Sequence, residues 1–184
     1  MNSIHLPISI NRLELRLKNA IASNSSKKVQ QVIDDLLKNN LKLSNLSKKF
    51  HTYHLLQQCI LQKKGTIAKL LLNDGVPVNS AISGPCNSLL HLATINQDVE
   101  LVKLLLDKGI YINGQNTLGK TALYIAVELG NVEIVKLPLH HQADINIAAN
   151  DSSLPIYLSN QPDKEEIFKM LIINGANVNI KCKR

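Results

Sequence analysis

The residues with the plainest chemical potential run Gly114-Gln115-Asn116-Thr117-Leu118-Gly119-Lys120-Thr121, a full match to G-x-x-x-x-G-K-[ST]. In a phosphate-binding loop that spacing wraps backbone N–H groups around phosphates, places the lysine on them and offers the hydroxyl to magnesium. The flanks suit such a loop, because Ile110-Tyr111-Ile112 reads as a short strand and Ala122 onward as a helix. Two histidine pairs raise the separate question of a metal: His51 with His54 at i, i+3, and the adjacent His140 and His141. Adjacent histidines diverge on a helix, and neither pair has a carboxylate or cysteine at ligand spacing, so surface roles account for both. Protonated, His140 and His141 would also interact favourably with a helix C-terminus. No Ser-His-Asp, paired-carboxylate or reactive-cysteine arrangement can be argued from spacing, so no catalytic residue, metal ligand or cofactor is assigned.

The elements that would carry these residues are set by a repeat. A Leu-rich stretch runs into a hydrophobic residue and Asn at Val78-Asn79, Ile112-Asn113, Ile145-Asn146 and Val178-Asn179, with about 33 residues between successive pairs. Reading backward, LLLNDGVPVN, LLLDKGIYIN, LHHQADIN and LIINGANVN superpose; reading forward, Ser88 to Ala93, Thr121 to Ala126 and Leu154 to Ser159 do so too. Each period predicts two helices. The pairs are Leu55 to Leu61 with Thr66 to Asn73, Leu89 to Ile95 with Val99 to Lys108, Ala122 to Leu129 with Val132 to His141, and Leu154 to Ser159 with Lys164 to Asn174. Ser88, Asp98 and Thr121 are N-cap residues by type, and Gly75, Gly109 and Gly175 are stops. Upstream, Arg12 to Ser23 and Lys27 to Asn39 read as one more pair, with Val29, Val32, Ile33, Leu36 and Leu37 on a single face.

This pattern resembles the ankyrin repeat, T-P-L-H-x-A followed by a second helix and a Gly-hydrophobic-Asn ending. The likeness is strong over 54 to 179 and weaker from 12. It implies an all-α fold, an ankyrin-repeat α-solenoid: an N-terminal helical cap over 1–45, repeats over 46–80, 81–114 and 115–147, and a last repeat with tail over 148–184. In that register Gly119 and Thr121 fall on the repeat's own turn positions, so only Gly114 and Lys120 of the phosphate-loop match need coincide, and a stack of helix pairs supplies no parallel sheet to carry such a loop. The resemblance gives His91 a structural role, bonding neighbouring backbone, with Gln57, Tyr124 and Tyr157 as polar counterparts. Ala93 and Ala126, with Cys59 and Ser159 as equivalents, are the small residues that let helices approach. Pro138 stands where the previous repeat has Leu105; inside a helix it removes the bond to the Ile134 carbonyl at a cost of about 3 kcal/mol, so this repeat is expected to be kinked or locally loose. Gln142 stands where the other repeats end their helix with Gly.

Ankyrin proteins bind protein partners on a concave face made of turn tips and inner-helix ends. Carried over, the tips are Phe50, His51 and Tyr53, then Gly84, Pro85 and Asn87, then Thr117, Leu118 and Lys120, then Asn150, Asp151 and Ser153. The inner-helix ends are Leu61 and Gln62, Ile95 and Asn96, Glu128 and Leu129, and Gln161. Leu61, Ile95 and Leu129 would form an apolar row, which is a reason to expect a partner. The last outer helix is almost wholly apolar, whereas arrays usually end in a polar face; either the chain continues or this end packs on another molecule.

Composition agrees with this reading. The 184 residues include only 3% aromatics and no Trp, which suits a core of Leu, Ile, Val and Ala. The net charge of +7 invites a nucleic-acid reading, but Lys27-Lys28, Lys48-Lys49 and Lys63-Lys64 look like isolated pairs spread along the array, as on a solvated surface. Cys59, Cys86 and Cys182 form no C-x-x-C pair and fit a reducing compartment. No basic start with a long apolar run opens the chain, and no run approaches the 18 apolar residues of a membrane span. The expectation is a non-enzymatic recognition module of the cytoplasm or nucleus, including that of a host cell, which masks, sequesters or recruits a partner protein. Its family includes inhibitors of the NF-κB inhibitor type, cell-cycle inhibitors and host-directed effectors. Nucleotide binding through Lys120 and nucleic-acid binding through the lysines are the alternatives.

Overall fold

In the computed structural model, residues 10–39, 41, 43, 52–79 and 87–178 are described. Every regular element among them is helical, and no helix among them is long and apolar enough to cross a membrane. The chain divides into two compact units, Met1–Pro77 and Val78–Arg184.

The first unit holds two helix pairs. α1 (Ile10–Ala22) buries Leu13, Leu17, Ala20 and Ile21, an i, i+4, i+7, i+8 stripe that faces α2 (Ser26–Lys38). Asn24, at φ +51°, turns the chain between them, and the Ser25 side chain caps α2 by accepting the Lys28 amide. Val29, Val32, Ile33 and Leu36 are buried, but Leu37 is exposed, because one further residue rotates it off the apolar stripe. The second pair is α3 (Thr52–Leu61) and α4 (Gly65–Asn73); α4 packs on α2, and Gly75 ends it at φ +88°. α3 begins three residues before the expected Leu55, there being no Pro or Gly to stop it sooner.

The second unit holds three pairs: α5 (Leu89–Ile95) with α6 (Val99–Asp107), α7 (Ala122–Leu129) with α8 (Val132–His140), and α9 (Pro155–Leu158) with α10 (Glu165–Ile173). The inner helices α5, α7 and α9 pack in succession, as do the outer helices α6, α8 and α10. Each outer helix buries the same positions: Leu101, Val102, Leu105 and Leu106 in α6, and Ile134, Val135, Pro138 and Leu139 in α8. Ala93 and Ala126 are fully buried, as the close approach of stacked inner helices requires.

Asp98 and Thr121 cap their helices as expected, and Asn131 adds a cap not assigned from the sequence. Asp98 accepts the Leu101 amide at 3.0 Å, Asn131 accepts that of Ile134 at 3.0 Å, and Thr121 accepts that of Tyr124 at 3.1 Å. The outer helices share one stop position, with φ of +73° at Gly109, +59° at Gln142 and +93° at Gly175. Two elements depart from the common pattern. α8 runs without a break from Val132 to His140: Pro138 forfeits one bond close to the helix end, and its ring is buried at the Leu105 position. α9 is only four residues long, since Leu154 at the cap position brings no side-chain acceptor and Pro162 opens a 3-10 turn (Pro162–Lys164) before α10.

Candidate functional site

Asn116 fastens the Gly114 to Thr121 loop from within. Its Oδ1 accepts the amides of Leu118 and Lys120, each at 3.0 Å, its carbonyl accepts that of Gly119 at 2.9 Å, and its own amide donates to the Lys120 carbonyl at 3.0 Å. The N–H groups that would cradle a phosphate are therefore spent on the turn itself. The Thr121 hydroxyl is engaged as a helix cap, and residues 110–112 form no strand. Gly119 has a packing reason to be glycine: its φ is +71°, and a Cβ there would lie 2.6 Å from the backbone nitrogen of Asn150. The phosphate-loop reading fails on this geometry.

Around that turn the second unit assembles much of the expected site. Lys120 Nζ lies 2.8 and 2.9 Å from the two carboxylate oxygens of Glu128 and 5.2 Å above the Tyr124 ring. The hydrogen bond to Glu128 is the main cause that holds the Lys120 pKa above its ordinary value. Tyr124 Oη meets Ser153 Oγ at 2.6 Å, and Ser153 donates through both N and Oγ to Asp151, which lowers the Asp151 pKa. The Asn150 amide donates to the Leu118 carbonyl and its Nδ2 to the Thr117 carbonyl, while Asn116 Nδ2 donates to Asn87 Oδ1. Asn87, through Oδ1, and Asn150, through its amide and Nδ2, are thus struts between successive tips. The apolar members lie open beside them: Leu118 is 57% exposed, Ile95 45% and Leu129 44%.

The remaining expected site residues take three kinds of position. Phe50, His51, Gly84 and Pro85 lie outside the described residues. Tyr53 is half-buried in the first turn of α3 and forms no tip, because that helix starts early; burial raises its pKa. Leu61 and Gln62 are exposed at the end of α3 in the first unit, and Asn96 is the C-cap of α5 in the second.

The family description "Ankyrin repeats (3 copies)" matches residues 56–151 and 90–182. The chain belongs to the ankyrin-repeat family. Ankyrin repeats are generally protein–protein interaction modules, typically without enzymatic activity.

In this ankyrin protein His91 is buried and doubly engaged: Nδ1 lies 3.1 Å from the Ser88 amide, and Nε2 lies 2.9 Å from the Lys120 carbonyl of the next repeat. Accepting at Nδ1 and donating at Nε2 requires the neutral imidazole. Burial lowers the His91 pKa, opposed by the carbonyls of Lys120 and Gly114. The repeated Asn of the sequence pattern has an ordering role that spacing alone did not disclose. Asn79 Oδ1 accepts the Tyr111 amide and its Nδ2 donates to the Gly109 carbonyl, each at 2.9 Å. Asn113 accepts the Asp144 amide and Asn146 that of Asn177. Asn113 and Asn146 therefore each join their own repeat to the next, Asn79 ties the start of the second unit to its first repeat, and recurrence at the repeat period was the signal for it.

Two further readings are corrected. His141 does have a carboxylate neighbour, with Nε2 3.6 Å from Asp107 Oδ1, contributed by the preceding outer helix and so invisible to local spacing. No group of three such ligands exists among the described residues. The lysine pairs are not evenly spread: Lys27-Lys28, Lys48-Lys49 and Lys63-Lys64 all belong to the first unit.

Proposed function

We propose that the ankyrin protein captures a segment of a partner protein on the tips and inner-helix ends of its second unit, with Ile95, Leu129 and Leu118 as apolar anchors and Thr117, Asp151 and the Lys120–Glu128 pair as the polar surround. The observation that carries this reading is the exposure of Ile95 and Leu129 at matching ends of two stacked inner helices, beside tips held by hydrogen bonds. An ordered surface loses little conformational entropy on binding, which favours capture over induced folding. Masking or recruitment of the partner is the corresponding activity, and the buried free thiol of Cys59 suits a reducing compartment such as cytoplasm or nucleus.

The test is partner capture by the wild-type chain, with the partner identified by mass spectrometry, against Ile95→Glu and Leu129→Glu. Both exposed sites tolerate charge, so the helical circular dichroism should persist while capture is lost. Unchanged capture by both variants would move the site elsewhere.

A second reading, self-association through the last repeat, has its own observation. Ile172 is 41% exposed, although Leu106 and Leu139 are buried at its register position, and Ile173 is 82% exposed. A concentration-dependent mass in light scattering, abolished by Ile173→Lys, is the expected result; a constant monomer mass would dispose of it.

A further inference from the structure

We infer that the first unit carries a second docking site, a basic groove between α1 and α2 that takes an acidic, extended segment of a protein partner. Charge is the first observation. Residues 1–77 hold twelve lysines and arginines against four acids, a net charge of +8, whereas residues 78–184 hold nine against ten. The first unit therefore carries the positive charge of the whole chain, and an acidic partner is steered toward it. Arg12, Lys27 and Lys28 are exposed on α1 and α2 with no acidic partner among the described residues.

Shape is the second, independent observation. An open groove of about 310 Å³ is lined by Arg16, Asn19 and Ala20 of α1 and by Lys28, Gln31 and Val32 of α2. Arg12, Arg16 and Asn19 recur at i, i+4, i+7 on α1, and Lys28 with Gln31 at i, i+3 on α2, where the next member of the row, Asp35, is already paired with Arg16, so Lys28 is the cation that α2 brings to the groove, unpaired among the described residues. Arg16 gives one nitrogen to Asp35 at 2.8 Å, and the fork geometry of a guanidinium leaves further donors for a second carboxylate. The amides of Asn19 and Gln31 offer donors and acceptors of the kind a peptide main chain needs. Buried Ala20 and Val32 make an apolar floor for a small aliphatic side chain. Cations, amides and an apolar floor together match a peptide of alternating acidic and small aliphatic residues. A single-stranded nucleic acid would want aromatic stacking surfaces, and none lines the groove.

The experiment is fluorescence anisotropy on the full chain with a labelled peptide of alternating glutamate and valine, and with an oligothymidylate of equal charge as competitor. The peptide should bind and should weaken steeply with added salt. Lys28→Glu should weaken it by about tenfold or more. This substitution puts a glutamate three residues after the Ser25 cap, where it completes a capping box and supports the helix, so lost binding cannot be ascribed to unfolding. Ile95→Glu, which tests the second unit, should leave peptide binding unchanged, so the two sites can fail separately. No binding of the peptide, equal binding by Lys28→Glu, or displacement by the oligothymidylate at lower concentration than by unlabelled peptide would each overturn the proposal.

Discussion

Lys120 Nζ grips both carboxylate oxygens of Glu128, at 2.8 and 2.9 Å, across the turn and the full length of α7. The lysine that completes a phosphate-loop motif in the sequence is therefore an internal strut, and the pair ties a turn tip to an inner-helix end within the proposed binding surface.

Lys120→Ala should cost less than about 1 kcal/mol in a urea melt, since Glu128 is largely exposed and such pairs contribute little. Titration calorimetry with ATP or GTP should show no heat with either the parent or the variant. A saturable heat that Lys120→Ala removes would restore the nucleotide reading.

His91 makes stability depend on pH. An unfolded histidine takes its proton near pH 6.5, whereas the buried His91 resists it, so below about 6.5 the unfolded chain binds more protons. Its contribution is present in full above that pH and is lost as pH falls through the lowered folded value. Urea midpoints between pH 7.5 and about 5.5 should show this decline, and His91→Tyr, which copies Tyr124 at the same register position, should flatten it.

Gln142 is a side-chain-bearing residue at φ +59° where the other outer helices of this unit place glycine. Gln142→Gly should therefore stabilise the protein by about 0.5–1 kcal/mol, read as a rise of a few degrees in Tm. Gly109→Gln, the reverse change one repeat earlier, should lower Tm by a similar amount.

Asn79→Ala removes the acceptor of the Tyr111 amide and the donor to the Gly109 carbonyl, and should cost about 1–2 kcal/mol. Asn79→Asp keeps the acceptor and loses the donor, so its denaturation midpoint should fall between the two. Equal midpoints for all three proteins would show that the inter-repeat bonds contribute nothing.

Gly119→Ala should be costlier, about 2–3 kcal/mol, because it meets the Asn150 backbone and strains a left-handed residue at once. Thermal melts of the two alanine variants side by side would rank the tip contact above the Asn link.

Periodicity alone was enough for the repeat register, the helix pairs, most caps and the glycine stops, because each depends on residues a few positions apart: Asp98 and Leu101, Thr121 and Tyr124, Lys108 and Gly109. The sequence also carried the charge imbalance between the two units, in the plain order of its lysines. What only the tertiary structure decided are the contacts made roughly one repeat away: the bonds of His91 to Lys120, Asn79 to Tyr111, Asn150 to Thr117 and His141 to Asp107. Those partners are about thirty residues distant along the chain, and stacking alone brings them within hydrogen-bond or ion-pair reach, so their pairing is a property of packed neighbours that local spacing cannot express.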